Sequence, residues 1–151
     1  MSTSECRPTA TKITPKVRLG SQHVTDFVIE LVNEEYIVVE IEAARHKLFK
    51  QDGDLTAAAN HAVRQATDWR QWVIEHGSYA RTTIPQLSNA YDPDAYAILG
   101  RRPESSEERT RLRRTNRDRP AIQIKTYDDL LNQAEQYLEN LRIHLAPRAK
   151  L

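Results

Sequence analysis

Two short runs rich in β-branched residues, separated by a polar break, constrain this chain more than any other feature. Residues 24–31 read VTDFVIEL and residues 36–42 read YIVVEIE, with Asn33-Glu34-Glu35 between them. That pattern predicts a β-hairpin. Side chains alternate along a strand, so Asp26, Val28 and Glu30 share one face of the first run, and Val38, Glu40 and Glu42 share one face of the second. The opposite faces are apolar: Phe27, Ile29 and Leu31 on one strand, Ile37, Val39 and Ile41 on the other. A slip of one residue would interchange acids and aliphatics, so the two apolar faces should coincide. Paired residues then have numbers with an even sum, the loop holds an odd number of residues (about three or five), and Asp26 lies opposite Glu40 or Glu42.

Like charges facing one another across a sheet are destabilising. A divalent cation removes that cost, because Mg²⁺ takes one or two carboxylates and fills its remaining positions with water and phosphate oxygens. The competing reading is a solvated acidic face that merely alternates polar-out.

The rest of the chain supplies a frame for the hairpin. Residues 1 to about 20 lack periodicity and contain Pro8 and Pro15, so they read as a mobile lead-in. Residues 43–54 form a loop, basic at first (Arg45, His46, Lys47, Lys50) and ending in Asp52-Gly53-Asp54. A helix is expected over 55–76, stopped by Gly77, with Leu55, Ala59, Ala62, Ala66, Trp69 and Val73 forming one apolar stripe. Residues 96–99 and 121–124 read as strands. Ser105 with Glu108 makes a capping box for a charged surface helix reaching about Asn116. Thr126 caps a last helix in which Leu130, Ala134, Leu138, Leu141 and Leu145 recur at steps of three and four. The expected order is β-β-α-β-α-β-α, an α/β fold with a mixed sheet flanked by helices. The domain plan is a lead-in over 1–20, one domain over 21–146 and a tail over 147–151.

Composition excludes more than it selects. The 151 residues suit one domain, and 39% hydrophobic with 28% charged content is ordinary for a soluble globular chain. The single cysteine, Cys6, cannot form an intramolecular disulfide, and no stretch suits a signal peptide or a membrane span, which makes the cytoplasm the expected location. Zinc-type Cys/His spacing, a phosphate-cradling glycine loop and a nucleophile elbow are all missing from the sequence. His23, His61, His76 and His144 share no metal-site spacing.

Asp26 followed, after a spacer, by Glu40-Ile41-Glu42 at the end of an aliphatic strand resembles the core of the PD-(D/E)xK nuclease superfamily. The segments TDFVIEL (25–31), VVEIE (38–42), HKLF (46–49), HAVRQ (61–65) with Asp68-Trp69, ILGRR (98–102) and TYDDLL (126–131) resemble the nuclease domain of Shedu anti-phage defence proteins. The likeness runs over about residues 18–140. It implies a restriction-endonuclease-like fold and a Mg²⁺- or Mn²⁺-dependent DNA endonuclease, with Asp26, Glu40 and the main-chain carbonyl of Ile41 holding the metal. The third position of the superfamily's acid strand is usually lysine, and here it is Glu42. The resemblance then implies that Glu42 serves in the catalytic set as a further metal ligand, with Lys47 or Arg45 supplying the positive charge. Gln65 and Trp69 stand at a spacing found in RecB-like nucleases, where Gln65 would hold a water or phosphate; Trp69 fits a packing role better.

DNA, the partner so implied, needs phosphate contacts from basic residues. Arg45, His46, Lys47 and Lys50, with Arg64, are the expected DNA-binding set. A second basic run, residues 101–119, holds eight arginines against four acids, which also fits a solvated helix laced with pairs such as Glu107–Arg111. The family likeness further implies a homo-oligomer and no membrane association. The alternative function is a catalytically degenerate nuclease fold that binds DNA or a protein partner.

Overall fold

In the computed structural model, which describes residues 10–145, strands β1 (Ala10–Pro15), β2 (Arg18–Leu19), β3 (His23–Val24), β4 (Phe27–Leu31) and β5 (Tyr36–Ile41) come first. Helices α1 (Ala57–Glu75) and α2 (Gly77–Thr83) follow, then a 3-10 turn (Pro85–Leu87), β6 (Asp94–Ile98), α3 (Ser106–Asp118), β7 (Ile122–Lys125) and α4 (Tyr127–Leu145). Five strands form one sheet in the order β1-β4-β5-β6-β7. The β1–β4 and β4–β5 pairs are antiparallel, and the β5–β6 and β6–β7 pairs are parallel. This is the mixed α/β sheet that the hairpin and the alternating elements predict.

The hairpin register follows the parity argument. Phe27 pairs with Val39, Val28 with Val38 and Ile29 with Ile37. The Leu31 N–H donates to the Glu35 carbonyl at 2.8 Å, leaving Val32, Asn33 and Glu34 as a three-residue loop. Glu34 takes φ 64 there, the left-handed residue that such loops require.

Which face is solvated differs from the sequence expectation. Val28, Tyr36 and Val38, on the same side as the acids, are 2%, 3% and 0% exposed and belong to the main core. They meet α1, whose buried stripe is Ala59, Ala62, Val63, Ala66, Trp69 and Val73. The alanines let the helix approach closely, so the acid-bearing face is the better covered of the two. The all-aliphatic face carries a smaller cluster of Ile37, Val39 and Ile98, with Phe27, Ile29, Leu31, Ile41 and Tyr96 half-buried beside it. A solvated acidic face is therefore not what the sheet presents.

A second difference lies at the start of the chain. Where residues up to about 20 read as a mobile lead-in, residues 10–15 form the edge strand β1, and Val17 and Leu19 are buried in the main core. The reason is physical: β1 is exposed along most of its length, so it shows no burial periodicity, and its hold on the sheet is the main-chain ladder to β4. Residues 1–9 and 146–151, the expected tail at 147–151 among them, lie outside the described residues.

Thr56 caps α1, its hydroxyl accepting from the Ala59 N–H at 3.2 Å. Gly77 ends that helix but opens α2 directly, which the sequence did not signal. Ser105 accepts from the Glu108 N–H at 3.1 Å, and the Glu107–Arg111 pair forms at 3.0 Å, as expected of a solvated helix. Thr126 and Asp129 cap α4 reciprocally.

Candidate cation site at the hairpin acids

Extending the β4–β5 register by one residue sets Asp26 across from Glu40. The ladder itself continues there, because the Asp26 N–H donates to the Val39 carbonyl at 3.2 Å. One Asp26 carboxylate oxygen accepts from the Ile41 N–H at 2.9 Å, which fixes the side chain against β5. The other accepts from the Lys16 ammonium in a short ion pair. Lys16 stands just past β1, where its N–H donates to the Asp26 carbonyl at 2.9 Å and its backbone takes the left-handed φ 51. That conformation costs a non-glycine residue of the order of 1 kcal/mol.

Glu40 is only 6% exposed, one of three buried polar or charged residues in the described chain, with Thr25 and Thr126. Burial pushes its carboxyl up to about 8, and the hydrogen bond to Asp26 and the charges of Asp26 and Glu42 act in the same sense. Burial works the same way on Asp26, but the Lys16 ammonium, the Ile41 N–H and the Glu40 carboxyl outweigh it and hold Asp26 below its ordinary value. The two groups thus divide one site, Glu40 keeping a proton that Asp26 gives up. Asp26 raises the Lys16 ammonium in turn, first through their hydrogen bond, and Glu40 adds to it.

Glu42 is half-buried just past β5, with its N–H on the Ile98 carbonyl at 2.8 Å and its carbonyl accepting from the Tyr127 hydroxyl at 2.9 Å. The loop after it is pinned at Gly100, whose φ of +69 and whose position 2.5 Å (for an added Cβ) from the His46 carbonyl admit only glycine. Arg45 and Lys47 are exposed and His46 is half-buried. Neither Arg45 nor Lys47 pairs with Asp26 or Glu40, while Lys50 turns to Asp52 and Asp54 at 3.3 and 3.8 Å. Gln65 is half-buried at the edge of the α1 stripe, Arg64 is exposed, and Trp69, 4% exposed, packs in the core. The structure therefore brings Asp26, Glu40, Glu42 and the Ile41 main chain together. The cation it sets on them is Lys16, a residue sequence reading left in the lead-in. The sequence carries no clear signal for it, because β1 is exposed along most of its length; it is the pairing of Pro15 with Phe27 that sets Lys16 across from Asp26.

Among the described residues no three His, Cys, Asp or Glu side chains converge on one point as a ready-made cage. A site of two carboxylates and a carbonyl still fits Mg²⁺ or Mn²⁺, which complete their shells with water. Asp26 already carries one cation, the Lys16 ammonium.

A mixed α/β sheet that gathers two carboxylates and an ammonium beside its first parallel strand pair defines the class. Within it, the chain belongs to the family described as Shedu protein SduA, C-terminal, whose model matches residues 4–131 and so spans every strand of the sheet. The family sets the chain in the context of anti-phage defence. No curated protein matches it. None of the helices is long and apolar enough to cross a membrane among the described residues.

Proposed function

We propose that this chain is a metal-dependent DNA endonuclease acting in anti-phage defence, with a restriction-endonuclease-like (PD-(D/E)xK) fold. The observation that supports the reading is the Asp26–Glu40 pair, held one across from the other by the hairpin register, with the Lys16 ammonium on Asp26. Asp26, Glu40 and the Ile41 carbonyl would hold Mg²⁺ or Mn²⁺, which when bound supplies an acidified water and neutralises charge on the phosphodiester.

The chain's own residues have defined tasks. Glu40 must release its proton before it ligates, since a neutral carboxyl is a poor metal ligand. The Ile41 N–H keeps Asp26 oriented throughout. Lys16, exposed over most of its side chain, is free to swing from Asp26 and offer its charge to a phosphate oxygen. It takes the part that Glu42 cannot, because a carboxylate offers no positive charge. Arg45, His46, Lys47, Lys50 and Arg64 would supply the phosphate contacts of the DNA-binding set, and Gln65 would hold a water or phosphate.

One observation favours a second reading. The Lys16 ammonium sits on the very carboxylate a metal would need, as in a fold that has lost its ion and binds DNA or a protein partner without cleaving. Incubating plasmid and linear DNA with the protein, with and without Mg²⁺ or Mn²⁺, beside Glu40→Ala, separates the two. Metal-dependent cleavage lost in Glu40→Ala supports the endonuclease. Salt-sensitive binding without cleavage in either protein supports the second reading.

A further inference from the structure

The hydrogen bonds at the end of the acid strand leave one rung of its ladder to a side chain. Ile41 turns its N–H to the Asp26 carboxylate at 2.9 Å, and Glu42 turns its own to the Ile98 carbonyl of β6 at 2.8 Å. A trans peptide sets the carbonyl of one residue opposite the N–H of the next, so the Ile41 carbonyl points away from β6, toward the Asp26 side. In a regular parallel ladder the next rung would run from the Gly100 N–H to the Glu42 carbonyl. Gly100, at φ +69, sends its N–H to the Ala43 carbonyl at 3.3 Å instead, and the Tyr127 hydroxyl donates to the Glu42 carbonyl at 2.9 Å.

Tyr127 reaches that carbonyl from beyond the far edge strand. It opens α4 just past β7, two strands from β5 in the sheet, with its N–H on the Gly100 carbonyl at 3.0 Å. Its half-buried ring packs against the cluster of Ile37, Val39 and Ile98. Thr126, 1% exposed, and Asp129 cap the helix reciprocally, so the first turn of α4 is a fixed mount for the ring. We propose that Tyr127 is a positioning residue, a strap from α4 across β6 that holds the end of β5 and keeps the Ile41 carbonyl turned to the Asp26 side. The ligand role of that carbonyl rests on the endonuclease reading; the hold on the strand end does not. Losing the hydroxyl leaves the Glu42 carbonyl without the donor that completes the ladder, and the peptides on either side of Glu42 are then free to turn.

Tyr127→Phe removes the hydroxyl and keeps the ring, so the melting curve should stay close to that of the wild type. Amide hydrogen exchange of the full chain, followed by NMR without divalent ions, should be about tenfold faster at Glu42 and Gly100 and unchanged from Tyr36 to Val38. Mn²⁺ titrated alone and followed by its EPR signal at about pH 8.5, where Glu40 has mostly released its proton, should bind about five- to tenfold more weakly than to the wild type. Leu130→Ala thins the same cluster without touching the hydroxyl, and should lower stability while Mn²⁺ affinity stays at the wild-type level. Unchanged exchange at Glu42, Mn²⁺ bound with equal affinity by Tyr127→Phe and the wild type, or an equal loss of Mn²⁺ affinity in Leu130→Ala would overturn the proposal. Faster exchange at Glu42 beside a wild type that binds no Mn²⁺ would uphold the strap and count against the endonuclease reading instead.

Discussion

Glu40→Gln should convert a pH-sensitive protein into a less sensitive one. The Glu40 carboxyl is raised from an ordinary 4.5 to about 8 in the fold, chiefly by burial. Between those two values the folded chain holds a proton that the unfolded chain has released, so stability falls as pH rises through the window. At about 1.4 kcal/mol per unit, the loss over the full window is about 5 kcal/mol, a large fraction of the stability of any domain this size. Asp26 and Lys16 do not enter that window: Asp26 is lowered, so its contribution is lost only below its ordinary range, and Lys16 is raised, so its contribution is lost only above its own. Asp94, raised by burial and then by Glu35, tilts the wild-type curve the same way, but it is present in both proteins and cancels in the difference. Glutamine keeps the shape and can still hydrogen-bond Asp26, with no proton to lose. Urea unfolding at half-unit steps from about pH 5 to pH 8.5, without divalent ions, should show the wild type losing several kcal/mol relative to Glu40→Gln. Parallel curves for the two proteins, or a wild type that gains on the variant as pH rises, would show that Glu40 is not buried with its proton.

Two further outcomes test the frame around the site. Glu34→Gly should raise stability by about 0.5–1 kcal/mol in urea unfolding, because Glu34 holds φ 64 in the hairpin loop and glycine takes that conformation without steric cost. Trp69→Ala should cost about 3–5 kcal/mol in the same assay, since its ring is 4% exposed at the centre of the α1 stripe; a loss under about 1 kcal/mol would mean the ring serves the site more than the core.

The legible part of this protein is what periodicity encodes. Strand parity narrowed the hairpin register to one that puts Asp26 across from Glu40 or Glu42, because a one-residue slip exchanges acids for aliphatics, and the structure selects Glu40. The helix stripe of α1 and the Ser105 and Thr126 caps were equally readable, each being a local pattern with a local cause. Solvation of the acid face was not. Deciding it requires knowing which side α1 covers, and both sides of the hairpin carry enough aliphatics to be buried: Val28, Tyr36 and Val38 on one, Phe27, Ile29, Ile37 and Val39 on the other. β1 escaped for a related reason. An exposed edge strand held by main-chain hydrogen bonds leaves almost no side-chain pattern, and with it went Lys16, the cation of the site.

Glu42 and Lys16 together decide how that site is to be understood, and a pair of substitutions makes the decision. If Lys16 supplies the positive charge, then Lys16→Gln should abolish metal-dependent cleavage while leaving the melting temperature close to wild type, because its side chain is mostly exposed. Adding Glu42→Lys should then restore cleavage in the Lys16→Gln background, since position 42 shares the strand face of Glu40 and a lysine there replaces a charge that now pushes the Glu40 carboxyl up. In the wild-type background the same Glu42→Lys should add little, two ammonium groups competing for one phosphate. The opposite pattern has an equally physical meaning. Cleavage that appears only with Glu42→Lys, and is indifferent or improved when Lys16 is lost, would show that the ammonium on Asp26 stands in for the metal and keeps it out.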